Sequence, residues 1–124
     1  MKMLTIIVRS LLGLIFVVFG SNAFLQFLPM PPQPPGSASD FTKALFVSHY
    51  FYVVAILQMA GGALCLSGRF VPLGLTLLGP VIVNILLFHI FLEPSGLPLA
   101  VVVSVLALFL LWRNRGAFAG LVKA

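Results

Sequence analysis

Apolar residues form four long runs that fill most of this chain, and the charged residues lie between or beyond those runs. Each run is about 18–25 residues long, and a helix of about 20 apolar residues crosses a hydrocarbon core of roughly 30 Å. The pattern therefore predicts an all-α integral membrane protein, folded as a four-helix bundle in a single domain over residues 1–124. The predicted spans are residues 4–28, 50–67, 71–92 and 97–113.

The connection between the first two spans is the longest, and it is rich in proline. Five prolines lie between Pro29 and Pro35. Because proline fixes φ and has no N–H, we expect a proline-rich outer loop with an extended backbone. The following residues, 36–40, predict a turn and a helix N-cap. A short interfacial helix is then expected from about Phe41 to Val47, with Lys43 facing water.

The first run also has features of a secretory signal peptide. Lys2 and Arg9 precede it, and the sequence Ser21-Asn22-Ala23 resembles a signal-peptidase site. However, the apolar run continues to Leu28 and is long enough to cross the membrane. We therefore interpret it as a retained span.

The distribution of charge predicts the topology of the spans. Only 7% of the residues are charged, against 61% hydrophobic, and the net charge is +5. With four spans, six of the seven cations share one side of the membrane with both termini, and the positive-inside rule makes that side the cytoplasm. Three spans would move the C-terminal cations to the other side. The six cations are Lys2, Arg9, Arg69, Arg113, Arg115 and Lys123.

This basicity does not indicate a nucleic-acid partner, because the cations are scattered at span ends and form no basic stripe. The expected environment is the lipid bilayer. The single cysteine, Cys65, cannot form an intrachain disulfide, and we interpret it as a small buried apolar side chain.

Polar residues inside spans are costly in lipid, so they are candidates for a functional site. Two interpretations stay open for them: hydrogen bonds that join the helices, or a pocket for a ligand. A third, less favoured interpretation makes His49 and His89 haem ligands. The candidate pocket consists of Asn22, Gln26, Gln58, Asn84, Phe88 and His89.

The sequence offers no catalytic constellation of its own. It has no Cys-x-x-Cys pair, no phosphate-binding glycine loop and no HExxH motif, and its two acidic residues, Asp40 and Glu93, lie outside the spans. Paired carboxylates for acid–base work in the core are thereby excluded.

Two stretches of the chain resemble the DoxX family. Residues 61–70, GGALCLSGRF, resemble its glycine-rich signature, and residues 80–89, PVIVNILLFH, resemble a stretch of one DoxX-like subgroup. The resemblance extends over nearly the full chain. It implies a four-span protein of the bacterial inner membrane, associated with membrane redox complexes. Many relatives are expected to carry Glu at the position of Gln58, so the neutral residue here argues against proton handling at that position.

These observations lead to three hypotheses for function. The first is a non-catalytic subunit of a membrane oxidoreductase that binds a quinone or a lipid-like ligand. The second is a structural anchor or assembly factor, in which the polar groups only hold the bundle together. The third is a carrier of small solutes or lipids, which would need either to act as a homo-oligomer or to lack alternating halves, because the chain has no internal repeat.

Overall fold

Among residues 1–27 and 34–123, which the computed structural model describes, the backbone is helical and contains no β-strand. Four helices are long and apolar enough to span a membrane, which confirms the prediction of an all-α, multi-pass membrane protein. In chain order the helices are α1 (Lys2–Leu25), α2 (Ser37–Val47), α3 (Tyr50–Ser67), α4 (Val71–Phe91), α5 (Leu97–Arg113) and α6 (Arg115–Phe118), with 3₁₀ turns at Pro94–Gly96 and Ala119–Val122.

Two helix ends differ most from the predicted ones, the end of α1 and the start of α2, and local hydrogen bonds account for both. α1 ends at Leu25 because Gln26 adopts a left-handed conformation (φ 51°) and its N–H bonds back to the carbonyl of Asn22. α2 begins at Ser37, four residues earlier than expected, since the N–H of Asp40 already bonds to the carbonyl of Gly36. Asp40 thus lies in the first turn, where its negative charge suits the helix dipole. Residues 28–33 of the proline-rich loop lie outside the described residues.

The four long helices pack in a ring that follows their order in the chain. α1 packs on α3, α3 on α4, α4 on α5, and α5 returns to α1. The shared core contains Leu12, Leu78 and Leu110, all with no exposed surface, together with the free cysteine Cys65. Large apolar side chains such as Val53, Val83 and Leu108 lie exposed on the outside of the ring, as expected for surfaces that face lipid.

Glycines allow the helices to approach each other closely. A Cβ atom built on Gly13 of α1 would lie 2.5 Å from the carbonyl oxygen of Gly62 in α3. On the next face of α3, a Cβ on Gly61 would lie 2.7 Å from Leu78 Cγ and 3.0 Å from the carbonyl oxygen of Gly74 in α4. Lipid gives no hydrophobic drive for helices to associate, so close backbone packing of this kind is the main source of bundle stability.

Arg9 joins the start of α1 to the end of α3. One terminal nitrogen of its guanidinium donates to the carbonyl oxygens of Cys65 (3.1 Å) and Leu66 (2.9 Å), which are among the last of α3 and have no partner within the helix. The helix stops at Gly68, whose positive φ of 77° suits glycine, and the Arg9 side chain packs against it. The cation therefore satisfies carbonyl groups at the negative end of the α3 dipole.

The two ends of the bundle differ in chemistry. At one end, the Nε of Arg113 in α5 donates to the Oγ1 of Thr5 in α1 at 3.1 Å. We call this the basic end; it also holds Lys2, Arg9, Arg69, Arg115 and Lys123. At the other end, Phe24 of α1 stacks on Tyr52 of α3 with ring centroids 5.1 Å apart. We call this the aromatic end.

The close contact between α1 and α3 predicts a strong effect of one added methyl group. Gly13→Ala should lower the free energy of unfolding by about 1–3 kcal/mol, because the new methyl meets backbone atoms that cannot move aside independently. Unfolding followed by circular dichroism in mixed micelles of mild detergent and sodium dodecyl sulfate measures this change.

Gly116→Ala in α6 is the control, since a Cβ built on Gly116 has no heavy atom within 4 Å outside its chain neighbours and its own helix backbone, and no proline follows it. It should be neutral or stabilising by up to about 1 kcal/mol, because alanine is the better helix former. Equal stability of the two variants would contradict the assignment of Gly13 to a tight helix–helix contact.

Candidate functional site

Aromatic rings hold the short helix α2 against α3 and α4 at the aromatic end. The ring of Phe46 lies 4.7 Å, centroid to centroid, from that of Phe51 in α3. The ring of Phe41 lies 5.6 Å from that of Phe88 in α4. Pairs of this geometry add about 0.5–1.5 kcal/mol each beyond burial. α2 is therefore fixed across the ends of α3 and α4.

A cleft of about 290 Å³ lies between α2 and α4 at this end. Its walls are apolar except for one amide, that of Asn84. The rim is open to the side of the bundle, where Leu87 and Phe91 are largely exposed. The lining residues are Phe41, Asn84, Leu87, Phe88, Phe91 and Leu92. The cleft is at the small end of the range for ligand pockets, so it would hold a head group or a single ring.

One face of α4 supplies four of the six lining residues, and Leu92, directly after the helix, continues that face. Asn84, Leu87, Phe88, Phe91 and Leu92 follow the spacing i, i+3, i+4, i+7 and i+8, which places them on one side of a helix. Sequence reasoning found Asn84 and Phe88 and missed Leu87, Phe91 and Leu92, although this spacing was a usable signal.

Phe41 was also missed, for a different reason. It lies in α2, and no periodicity within α4 could reveal that a second helix covers the cleft. Its place in the site depends on the ring contact with Phe88, which only the folded chain shows.

The amide of Asn84 is partly used within its own helix. Its Nδ2 donates to the carbonyl oxygen of Pro80 at 2.8 Å. A side-chain amide has two N–H donors and an acceptor oxygen, so one N–H and the oxygen stay available for a ligand. The side chain is exposed toward the cleft. Among the described residues, Asn84 makes no hydrogen bond to another helix, which favours the pocket interpretation over the joining of helices at this position.

His89 is held at the rim beside the cleft. Its Nδ1 lies 2.9 Å from the carbonyl oxygen of Glu93 and 3.4 Å from the Oε2 of the same residue. Its imidazole also packs directly against Gly96, where any Cβ would overlap the ring. His89 and Glu93 are four residues apart, and the structure brings their side chains into contact. The pair fixes the turn between α4 and α5, and His89 does not line the cleft.

The other predicted pocket residues lie apart from the cleft. Asn22 is half-buried near the end of α1, and Gln26 is exposed where that helix terminates. Gln58 is only 6% exposed and lies within the packed interior, with its Cβ near Gly20 of α1. The structure thus brings together Asn84 and Phe88 and leaves Gln58 deep in the bundle. No single described cavity contains all six.

The two histidines occupy different settings. His49 is exposed, with a left-handed φ of 64°, and it precedes α3 with its ring 5.7 Å from that of Tyr52. His89 belongs to the α4–α5 turn. In the part of the chain that the structure describes, no group of three or more His, Cys, Asp or Glu side chains is placed to hold a metal ion.

Comparison of the chain with protein-family models, with curated proteins and with solved structures finds no match.

The placement of Asn84 predicts that its amide contributes little to folding. Asn84→Leu should change the free energy of unfolding by less than about 1 kcal/mol, because the side chain is exposed and its described bond stays within α4. Denaturation in mixed micelles measures the change. A variant that no longer folds would support the alternative in which Asn84 holds helices together.

Proposed function

We propose that this protein is a non-catalytic, quinone-binding subunit of a membrane redox system, with the cleft between α2 and α4 as the quinone site. The observation that carries the proposal is the combination, in one cleft, of apolar and aromatic walls with a single amide. A quinone head group is a flat ring with two carbonyl oxygens, so it requires an apolar slot and a hydrogen-bond donor.

The chemistry of the lining residues suits such a head group. Phe41 and Phe88 present rings tilted by 32° to each other, and a planar ligand could pack against them. The remaining N–H of Asn84 could donate to a quinone carbonyl, and its oxygen could accept from a quinol hydroxyl. The amide thus serves both redox states of the ligand without moving a proton itself.

The position of the cleft also suits a ligand that is dissolved in lipid. It opens to the side of the bundle through Leu87 (46% exposed) and Phe91 (75% exposed), which a surrounding bilayer would contact. A quinone could therefore enter laterally, with its isoprenoid tail left in the hydrocarbon. Its small volume restricts the bound part to the head group.

The redox centre would belong to a partner subunit. The described residues contain no cluster of metal-ligating side chains, and Cys65 is a single buried thiol. The resemblance of residues 61–70 and 80–89 to the DoxX family supports this assignment to a redox-associated membrane subunit. The proposed location is a bacterial inner membrane.

A structural anchor or assembly factor is the second candidate function. It is favoured by side chains whose hydrogen bonds join two helices. Arg9 donates to the carbonyl oxygens of Cys65 and Leu66, and Arg113 donates to the Oγ1 of Thr5. Groups that hold the bundle in this way need no ligand.

Quinone binding is the measurement that separates these two functions. The protein is purified in mild detergent, its organic extract is examined by mass spectrometry, and a short-chain quinone analogue is titrated into lipid nanodiscs. We expect a retained quinone and an affinity that falls about 5- to 10-fold in Asn84→Leu, the loss of about one hydrogen bond.

Thr76→Val is the matched control, because Thr76 is an exposed residue of α4 with the same type of intrahelical bond but outside the cleft. Its affinity should equal that of the unchanged protein. Extracts that contain only bulk phospholipid, together with no saturable quinone binding, would reject the proposal and favour the structural role.

The proposed orientation places both termini in the cytoplasm, because the basic end carries most of the cations. Reporter fusions test it: a fusion to either terminus should be active for a cytoplasmic reporter and inactive for a periplasmic one. A periplasmic C-terminus together with a cytoplasmic N-terminus would contradict both the orientation and the four-span topology.

A further inference from the structure

The basic end of the bundle contains a cluster built on one indole ring. Trp112, near the end of α5, has the guanidinium carbon of Arg115 at 5.0 Å from its ring centroid and that of Arg113 at 5.9 Å. Both distances are within the range of cation–π attraction. Two positive charges are thereby held around a single aromatic side chain.

Hydrogen bonds fix these guanidinium groups further. Arg113 donates through Nε to Thr5 of α1 at 3.1 Å, and Arg115 donates through one terminal nitrogen to the carbonyl oxygen of Trp112 at 2.8 Å. Each bond uses only one of the five N–H donors of its arginine. The remaining donors of two exposed, oriented guanidinium groups are available to an anion.

No carboxylate side chain neutralises this cluster. The chain has two acidic side chains, Asp40 in α2 and Glu93 after α4, and both belong to the aromatic end. Among the described residues, Glu93 contacts His89, at that same opposite end. No carboxylate side chain at the basic end therefore competes with an external anion for Arg113 and Arg115.

The residues after the cluster indicate where such an anion would lie. Phe118 of α6 packs against the core, so the tail turns back under the bundle. Beyond it, Leu121 and Val122 are 77% and 86% exposed. A short segment with exposed apolar side chains and a following Lys123 is typical of chain that lies in the head-group layer of a membrane.

We propose that Trp112, Arg113 and Arg115 form a binding site for the phosphate of an anionic phospholipid, such as phosphatidylglycerol. The guanidinium groups bind the phosphate oxygens, and the indole lies at the level of the lipid glycerol. The residues after α5 cover the start of the acyl chains beside the indole. This site is at the opposite end from the quinone cleft, and the inference does not depend on the proposed function.

The test is the enrichment of phosphatidylglycerol around the protein. The full chain is reconstituted in nanodiscs of phosphatidylcholine and phosphatidylglycerol at 4:1. The protein is then released from the nanodiscs in the mass spectrometer, and native mass spectrometry counts the lipids that stay bound to it. Arg113→Gln with Arg115→Gln should lower the enrichment about 10-fold, because the charge-assisted hydrogen bonds to the phosphate are lost. Circular dichroism establishes that the variant is folded.

Lys2→Gln with Arg69→Gln is the matched control. It removes the same charge from the same end, and the structure describes no ring contact for either side chain. Enrichment should be nearly unchanged in this control. An equal loss of enrichment in both double variants would reject the site and favour general electrostatic attraction of anionic lipid to the basic end. No loss in either double variant would also reject the site.

Two further measurements keep the proposal testable. If the glutamine variant does not fold, Arg113→Lys with Arg115→Lys is tested instead. It keeps the charge but loses the planar guanidinium groups, which can bind phosphate through two N–H donors at once, so part of the enrichment should be lost. Unchanged enrichment would then overturn the proposal. Displacement of phosphatidylglycerol by millimolar inorganic phosphate would show a site for free anions rather than for lipid, which would also overturn it.

Discussion

The close approach of α1 and α3 through Gly13 and Gly62 is the contact on which the rest of the bundle depends. In lipid, apolar surface gains little by leaving its surroundings, so helices hold together where their backbones can touch. α3 makes a close glycine contact of this kind on each of two faces, since Gly62 faces α1 and Gly61 faces α4. α3 thus fixes both of its neighbours in the ring, α1 and α4. α5 completes the ring through larger side chains, such as Val103 and Leu110.

The same principle explains why the cleft lies at the aromatic end. The glycine contacts of Gly13, Gly61 and Gly62 lie toward the half of the bundle where Arg9 meets α3. At the other end, contacts between rings, such as Phe41–Phe88, also join the elements. Rings are rigid and bulky, and they leave gaps where flat ligands can enter. The bundle therefore combines a tightly packed half with a more open half in which the cleft lies.

The sequence predicted the fold better than the site, for physical reasons. Apolar run length decides whether a helix spans the membrane, so four spans could be counted directly. Helical spacing tells which residues share a face, such as Asn84 and Phe88, which are four residues apart and both line the cleft. It does not tell which helix lies opposite a face. For that reason Gln58 was grouped with Asn84, although it is buried among neighbours of α1, and Phe41 was not found at all. Local hydrogen bonds, such as that of Asn84 to Pro80, were predictable in principle from the four-residue spacing.

The bond of Arg9 to the end of α3 has a consequence for how the helices find their alignment. Two smooth, glycine-lined helices could slide along each other at little cost, and a slip of one turn moves every contact by about 5.4 Å. Such a slip would carry the guanidinium away from the carbonyl oxygens of Cys65 and Leu66 and leave those groups unpaired in lipid. Glycine thus supplies the attraction between the two helices, whereas one arginine specifies their register.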